Sequence, residues 1–161
     1  MAVESTEVVR LDAIDRNILR ILIAHGRISN AELAERVGLS PSPCAQRVRR
    51  LEAANIISGY SANLNLEALG INETVMIEVS LDRHGKEVLE EFSKAMSEIP
   101  EVLEVHLMAG EFDYLLKVAA SSTKGVEQFL REHLFNIPGI RHSRTCFSLR
   151  CIKDVGAFVP D

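Results

Sequence analysis

Hydrophobic positions near the start of the chain recur every three or four residues, which is the spacing of one face of an α-helix. The apolar stripe of this first segment consists of Leu11, Ile14, Ile18, Ile21 and Leu22. Asp12 stands where an N-cap is expected, and Gly26 stands where the helix would end. The pattern predicts a helix that buries one face against neighbouring elements.

The next stretch, RISNAELAERVGLSPSPCAQRVRRL, predicts two short helices joined by a glycine turn. Ser29 is placed to cap the first helix, with Glu32 three residues later as a capping box requires. Gly38 ends that helix at a position that favours left-handed dihedral angles. Ser40 is placed to cap the second helix, and Pro41 suits its first turn.

The second helix of this pair has two chemically different faces. Cys44, Val48 and Leu51 share one apolar face. The opposite face is polar and rich in arginine, and comprises Ser42, Gln46, Arg49 and Arg50, with Pro43 and Arg47 beside them. Such a helix, held against a partner helix, can enter the major groove of DNA. A basic face that is merely solvated is the alternative interpretation.

Residues 53–65 follow this helix, with Ile56, Ile57 and Tyr60 grouped around a glycine. We interpret the segment as a short wing or hairpin that leads into an extended linker strand. It completes the predicted first domain, a winged helix-turn-helix unit over residues 1–65.

The periodicity then changes from helical spacing to alternation. Val75, Ile77, Val79 and Leu81 alternate with polar or smaller residues, which predicts a half-buried strand. The further predicted elements are a helix over residues 84–98, the strands EVLEVHLMAG and FDYLLKVAA joined by a tight hairpin at residues 110–111, a helix over 123–134 and a strand over 140–152. This order is that of a ferredoxin-like βαββαβ sandwich. The chain is therefore predicted to be α+β, with this sandwich over residues 66–161.

Composition narrows the class of protein. The chain has 161 residues, of which 47% are hydrophobic and 25% are charged, as in ordinary globular proteins. No apolar run is long enough for a membrane span, and the polar N-terminus does not resemble a signal peptide. Three cysteines without metal-ligand spacing are typical of a reducing compartment and are expected to be small buried hydrophobes. We expect a cytoplasmic protein that does not associate with membranes.

The net charge of −5 is unevenly distributed. Residues 1–60 hold eight arginines and seven acidic residues, whereas residues 61–161 hold ten basic and sixteen acidic residues. Residues 36–51 contain four arginines and no acid. Because the local potential governs attraction to phosphate, an acidic second half does not conflict with DNA binding.

Enzymatic motifs are missing from the sequence. It contains no nucleophile elbow, Walker loop or dinucleotide fingerprint. Its five histidines are scattered without the spacing of zinc ligands. We therefore expect no catalytic residues, no metal and no cofactor. A regulatory subunit of an amino-acid enzyme remains a distant alternative, because small sandwich domains of this topology also serve in that role.

Four segments together resemble the Lrp/AsnC (leucine-responsive/asparagine-responsive, or feast/famine) family of transcriptional regulators. They are LDAIDRNILRIL, GRISNAELAERVGLSPSPCAQRVRRLE, GEFDYLLKV and IPGIRHSRTCFSL, and the resemblance covers residues 11–153. It implies a winged helix-turn-helix joined to a domain that senses a small molecule, usually an amino acid. It also implies homodimers that assemble into octamers or related rings. An architectural DNA-binding protein without a ligand is the alternative.

The predicted DNA-binding residues lie on the two helices of the motif: Ser29, Asn30, Ser40, Ser42, Pro43, Gln46, Arg47, Arg49 and Arg50. Gln46 and Arg50 are expected to reach base edges, because glutamine pairs with adenine and arginine with guanine. Ser40, Ser42 and Arg47 are equally suited to phosphates. One helix reads few base pairs, so we expect a dimer on a pseudo-palindromic site.

The resemblance places the effector near the hairpin, at an interface between dimers. The predicted effector-binding residues are Met108, Ala109, Gly110, Asp113, Ser122, Thr123, Phe147 and Ser148. Asp113 is suited to accept hydrogen bonds from an amino-acid ammonium group, and Met108 and Phe147 are suited to line an apolar pocket. The alternatives are that Gly110 only forms the turn, that Asp113 fixes that turn or pairs across subunits, and that Met108 and Phe147 belong to the core or an interface.

Overall fold

The computed structural model describes residues 10–83, 85–154 and 156–160. The chain forms two compact units, one from the residues up to 63 together with those from 153 onward, and one from residues 64–152. Each unit has its own cluster of buried hydrophobic side chains.

The first unit contains the three helices that the sequence predicts. Helix α1 spans Ala13–Ala24, α2 spans Asn30–Arg36 and α3 spans Pro41–Ala53. Their shared core consists of Ile18, Leu19, Leu33, Ala34, Cys44, Val48 and Leu51. The predicted apolar face of α3 is thereby confirmed, since Cys44, Val48 and Leu51 are all buried.

The ends of these helices follow the predicted cap chemistry with two differences. Asp12 and Asp15 form a reciprocal capping box at the start of α1, and the Ser29 hydroxyl accepts a hydrogen bond from the Glu32 backbone nitrogen at 3.2 Å. The Glu32 carboxylate, however, pairs with Arg36. Ser40 occupies the N-cap position of α3, but its side chain makes no capping hydrogen bond.

The segment after α3 begins with turns and bends and is not part of a sheet. No strand forms over residues 54–65, all of which the structure describes, so the predicted wing lacks a hairpin ladder. The end of the chain instead packs on this unit. Val159 contacts its core, and Arg16 Nε donates to the Pro160 carbonyl oxygen at 3.2 Å. This grouping differs from the predicted division at residue 65, which assigned the whole C-terminus to the second domain.

The second unit is a four-stranded sheet with two helices. After a short 3₁₀ turn at Glu67–Leu69 come β1 (Glu73–Leu81), α4 (Lys86–Ser97), β2 (Val102–Leu107), β3 (Tyr114–Ala120), α5 (Thr123–Phe129) continued by a π-helical turn (Leu130–Leu134), and β4 (Ile140–Phe147). The strand order is β2-β3-β1-β4, and every neighbouring pair is antiparallel. This is the predicted ferredoxin-like arrangement.

The core of this unit lies between one face of the sheet and the helices. Val75, Ile77, Val79 and Leu81 of β1 are each at most 1% exposed, as their alternation predicts. They pack with β3 residues and with helical side chains that include Phe92, Met96, Val126 and Phe129. Tyr114 is also buried here, and its hydroxyl group donates a hydrogen bond to the Leu89 carbonyl oxygen at 2.7 Å.

The other face of the sheet carries cross-strand charge pairs. Arg144 on β4 lies opposite Glu78 on β1, and Arg144 Nη2 is 2.7 Å from Glu78 Oε1. Lys117 on β3 lies opposite Glu104 on β2, with Lys117 Nζ 2.8 Å from Glu104 Oε1. Opposite charges placed directly across neighbouring strands stabilise their register.

Three expectations about the second unit are wrong in detail. The connection between β2 and β3 spans residues 108–113, which is longer than the predicted two-residue turn. Strand β4 ends at Phe147, so Leu149 and Cys151 lie beyond it, and Cys146 and Cys151 are exposed instead of buried. His84, at the predicted start of α4, lies outside the described residues.

Candidate functional site

The predicted DNA-reading surface of α3 is open to solvent. Ser42, Pro43, Gln46, Arg49 and Arg50 are exposed, and Arg47 is partly buried. Because helix geometry rotates successive residues by 100°, Ser42, Gln46 and Arg49 lie opposite the buried face, whereas Arg47 and Arg50 lie on one flank. The helix therefore presents an outward row and a flanking pair of arginines.

The flanking pair of arginines is bound to two carboxylates of α1. Arg47 Nη1 donates to Asp12 Oδ2 at 2.5 Å and to Asp15 Oδ1 at 2.9 Å. Arg50 Nη2 donates to Asp15 Oδ2. Asp15 is completely buried, while the Arg47 and Arg50 side chains remain 28% and 52% exposed. The two guanidinium groups are thus bound on the side that faces α1 and remain accessible on the side that faces solvent.

The ion pairs stabilise the charged forms of the groups involved. The hydrogen bond from the Asp15 backbone, followed by that from the Arg47 side chain, lowers the pKa of Asp12 from its ordinary 3.8 to about 2. The hydrogen bonds to Asp12 and then Asp15 raise the pKa of Arg47. Asp12 and Arg47 therefore keep their charges throughout the physiological pH range.

Arg49 has different surroundings from its neighbour Arg50. Among the described residues no ion pair engages Arg49, which leaves all five N–H donors of its guanidinium group available for a partner. Gln46 is also exposed on the outward row. These are the side-chain types that form bidentate hydrogen bonds with guanine and adenine edges.

The remaining predicted DNA-binding residues lie at helix N-termini. Ser29 and Asn30 are exposed at the start of α2, although the Ser29 hydroxyl is engaged in capping. Ser40 is exposed at the start of α3 with its hydroxyl free of a capping bond. All nine predicted DNA-binding residues therefore lie on α2, on α3 or at the N-caps of these two helices in the first unit.

The predicted effector-binding residues separate into two groups. Met108, Ala109, Gly110 and Asp113 lie in the connection between β2 and β3, before the start of β3. Ser122 and Thr123 follow the end of β3, and Phe147 and Ser148 lie at the end of β4 that pairs with the start of β1. Strand β3 spans seven residues, so the groups are separated by about 20 Å along the sheet. One protomer does not bring them into a single pocket.

Asp113 has a structural partner inside its own unit. Its Oδ2 accepts a hydrogen bond from the Leu81 backbone nitrogen at 2.7 Å, and its backbone nitrogen donates to the Val79 carbonyl oxygen at 2.9 Å. The Met108 backbone nitrogen donates to the Asp113 carbonyl oxygen at 2.8 Å. Asp113 therefore connects the loop to the end of β1, which is the turn-forming alternative considered above.

The other predicted effector-binding residues are partly exposed or take part in local hydrogen bonds. The Met108 and Phe147 side chains are 38% and 44% exposed, so neither belongs to the core. The Ser122 hydroxyl caps α5 by accepting from the Gly125 backbone nitrogen at 3.3 Å. Adding a Cβ to Gly110 would meet no atom of the described residues within 4 Å, so none of them crowds a side chain there.

Sequence reasoning missed the role of Asp12 and Asp15 at this site. The sequence shows Asp12 only as a cap, and the pairing with Arg47 spans 35 positions of the chain. In the described ranges no group of three or more His, Cys, Asp or Glu residues is arranged to hold a metal ion. The helices described here are too short or too polar to span a bilayer.

Two domains with distinct chemistry define the class of this protein. A helix-turn-helix unit with an arginine-bearing α3 is joined to a ferredoxin-like domain, which is the organisation of a transcription regulator with a ligand-binding domain. A family model described as winged helix-turn-helix DNA-binding matches residues 11–58, and one described as Lrp/AsnC ligand binding domain matches residues 74–158. The chain belongs to the Lrp/AsnC family of transcriptional regulators.

Relatives with known names agree with this assignment. Leucine-responsive regulatory proteins of Klebsiella pneumoniae and Escherichia coli K12 are each 44% identical to the chain over 149 residues, covering 92% of it and 91% of the relative. The structure is similar to a Neisseria meningitidis transcriptional regulator in complex with L-Met (36% identity, TM-score 0.87, 91% of this chain and 95% of that one). It is also similar to a feast or famine regulatory protein of M. tuberculosis complexed with L-methionine (31% identity, TM-score 0.83, 94% and 100%). These relatives are DNA-binding regulators and not enzymes.

Proposed function

We propose that this protein is a sequence-specific regulator of transcription whose DNA binding responds to an amino acid. The observation that carries the proposal is the outward row of α3, where Gln46 and Arg49 are exposed on a helix whose other face is buried. Base edges in the major groove are read by these side-chain types. The protein would act in the cytoplasm on chromosomal DNA.

Within the DNA interface we assign different roles to the outward row and the flanking arginines. Gln46 and Arg49 read base edges, with Ser42 and Pro43 beside them. Arg47 and Arg50 use the N–H groups that face solvent to contact phosphates or an adjacent guanine. Ser40 contributes a hydroxyl to the phosphate backbone, and Ser29 and Asn30 offer further phosphate contacts at the start of α2. Phosphate contacts position the helix, and base contacts select the sequence.

We propose that the functional unit is a homodimer or a larger ring of dimers. The described helices of this unit pack on the opposite face of the sheet from Met76, Cys146 and the cross-strand charge pairs. Exposed apolar side chains on the same unit, Leu103, Leu107 and Phe147, provide further surface for association. Two copies of α3 related by two-fold symmetry would read a pseudo-palindromic site.

We propose that the effector is an amino acid bound between protomers. The two groups of predicted residues are separated by about 20 Å within one protomer, so a shared pocket requires the connection between β2 and β3 of one copy to meet the end of the sheet of another. The L-methionine complexes of two structural relatives support an amino acid as the class of ligand. A ligand bound between copies shifts the balance of assembly states by its differential affinity for them.

The DNA-binding role is tested by the Arg49→Ala variant. A duplex is selected from a random pool with the wild-type protein, and affinities are measured by gel-shift titration at fixed salt concentration. We expect the variant to lose about 1–3 kcal/mol of binding free energy on the selected duplex. Arg131→Ala is the matched control, because it removes the same charge from an exposed position of the second unit. Equal affinities of the Arg49→Ala and Arg131→Ala variants would exclude base reading by Arg49.

The ligand response is tested by thermal unfolding of the wild-type protein in the presence of each of the twenty L-amino acids. A stereospecific increase in the unfolding temperature is expected for at least one, with the D-enantiomer as the control. The active amino acid should also change the apparent mass in sedimentation. The absence of any shift and of any change in mass would favour the architectural alternative.

A further inference from the structure

The carboxylate of Asp15 is the most deeply buried charge in the described part of the chain. It is completely buried, and its two oxygens accept hydrogen bonds from three donors. Oδ1 accepts from Arg47 Nη1 at 2.9 Å, and Oδ2 accepts from Arg50 Nη2 and from the Asp12 backbone nitrogen, the latter at 3.2 Å. Two of these donors belong to α3 and lie 32 and 35 positions away along the chain.

A buried ion of this kind imposes geometry on its partners. A carboxylate without water must be satisfied by donors, because an unpaired buried charge is strongly unfavourable. Arginine satisfies it with one edge of a planar fork, which leaves the other N–H groups pointing away in fixed directions. Since the Arg47 and Arg50 side chains retain 28% and 52% exposure, their free edges face solvent on the flank of α3.

We propose that Asp15 is a positioning residue for DNA recognition, which holds the guanidinium groups of Arg47 and Arg50 in the orientation that contacts DNA. The inference rests on the proposed DNA-binding function and extends it to a residue of α1 that does not itself touch the duplex. The entropy of fixing two long side chains is then lost on folding and not on binding. A specific complex needs both guanidinium groups in one orientation, whereas a non-specific complex accepts many, so preorganisation strengthens the specific complex more.

The positioning role and a purely electrostatic role make opposite predictions. Asp15 carries a negative charge next to a surface that attracts phosphate. If charge alone mattered, removing it would strengthen binding to every duplex by a similar factor. If Asp15 orients the two arginines, removing it weakens binding to the selected duplex while leaving binding to a scrambled duplex equal or stronger.

The experiment compares Asp15→Asn with Glu32→Gln. Both variants replace an acid by its amide in the full-length protein, but Glu32 is half exposed and pairs with Arg36 of its own helix. Affinities for the selected and scrambled duplexes are measured across a range of salt concentrations. We expect Asp15→Asn to lose about tenfold in affinity for the selected duplex and to change less than about threefold on the scrambled one. Glu32→Gln should shift both affinities together.

A double-mutant cycle separates positioning from a general structural defect. Arg50→Ala is introduced into the wild-type protein and into the Asp15→Asn variant. If Asp15 acts through Arg50, the second substitution costs clearly less affinity for the selected duplex when Asp15 is already absent. Additive losses, or an unchanged ratio of selected to scrambled affinity in Asp15→Asn, would overturn the proposal.

A measurement on the wild-type protein covers the case in which Asp15→Asn does not fold. Nitrogen-15 NMR of the guanidinium groups reports how fast each one rotates. Arg47 and Arg50 should show slow rotation in the free protein, whereas Arg49 should rotate rapidly. Rapid rotation of Arg50 without DNA would overturn the inference. If the wild-type protein selects no duplex at all, the proposed DNA-binding function fails first, which distinguishes the two outcomes.

Discussion

The carboxylate of Asp113 accepts a hydrogen bond from the backbone nitrogen of Leu81 at 2.7 Å, across 32 positions of the chain. Leu81 is the last residue of β1, and Asp113 is the last residue before β3. The bond fixes the connection between β2 and β3 against the neighbouring strand. The loop that the family resemblance associates with the effector is therefore ordered from within the protomer.

We predict that Asp113→Ala lowers the free energy of unfolding by about 1–3 kcal/mol, because the partly buried Leu81 nitrogen loses its acceptor. Urea unfolding followed by circular dichroism measures the change. Asp113→Asn is the matched control, since its amide oxygen still accepts the hydrogen bond. An Asp113→Ala variant that is as stable as wild type but no longer responds to the effector would instead identify a ligand contact.

A second prediction concerns the turn of the helix-turn-helix motif. Gly38 has a φ of +70°, and an added Cβ would meet no atom within 4 Å. Gly38→Ala should therefore destabilise the first unit by about 1 kcal/mol through backbone strain alone. Gly59→Ala serves as the control, because Gly59 has equally open space and a φ outside the left-handed region. Equal melting temperatures of the two variants would contradict the strain argument.

The lowered pKa of Asp12 makes a third prediction about acid stability. Its pKa in the folded state is about 2, below the ordinary 3.8. The unfolded state therefore binds the proton more readily, so this carboxylate stabilises the fold fully above pH 3.8 and progressively less as the pH falls towards 2.

Carbon-13 NMR titration of the Asp12 carboxyl group measures this pKa directly. In the Arg47→Ala variant the pKa of Asp12 should rise towards its ordinary value, although the backbone hydrogen bond from Asp15 continues to lower it. A wild-type value near 3.8 would show that neither the backbone hydrogen bond from Asp15 nor the pair with Arg47 persists in solution.

The fourth prediction concerns the end of the chain. Val159 is partly buried against the core of the first unit, whereas the larger Phe158 side chain is 82% exposed. Val159→Ser should therefore destabilise this unit by about 1 kcal/mol, and Phe158→Ser should have a smaller effect. Hydrogen exchange of α1 amides resolves the difference between the two variants. A larger loss of stability for Phe158→Ser than for Val159→Ser would contradict the packing of Val159 on the core.

Local patterns predicted the elements well and their ends less well. The apolar faces of α3 and β1 were predicted correctly, because periodicity depends only on neighbours in sequence. The predicted last strand extended to residue 152, whereas β4 ends at Phe147. Strand length depends on pairing, and the last residue of β4, Phe147, lies opposite Val75, two residues from the start of β1 at Glu73. Nothing in the local sequence indicates where this pairing ends.

The candidate sites also combine features that local sequence patterns predict with features that depend on long-range contacts. The outward position of Gln46 and Arg49 follows from the helical period, and the structure agrees with it. A buried carboxylate binds Arg50, whereas no ion pair engages Arg49 within the described ranges. The sequence does not show this difference, because the two residues are adjacent and identical. The separation of the effector candidates by the length of β3 likewise needed the sheet register.

The sequence alone determined the two-domain α+β organisation, the family and the chemical character of each helix face. These depend on periodic patterns, caps and motifs that act over a few residues. Only the tertiary structure decided that Asp15 of α1 binds the arginines of α3, and that residues 159 and 160 pack on the first unit. Such contacts join residues separated by 32 to 144 positions, and their free energies depend on burial and geometry that folding creates.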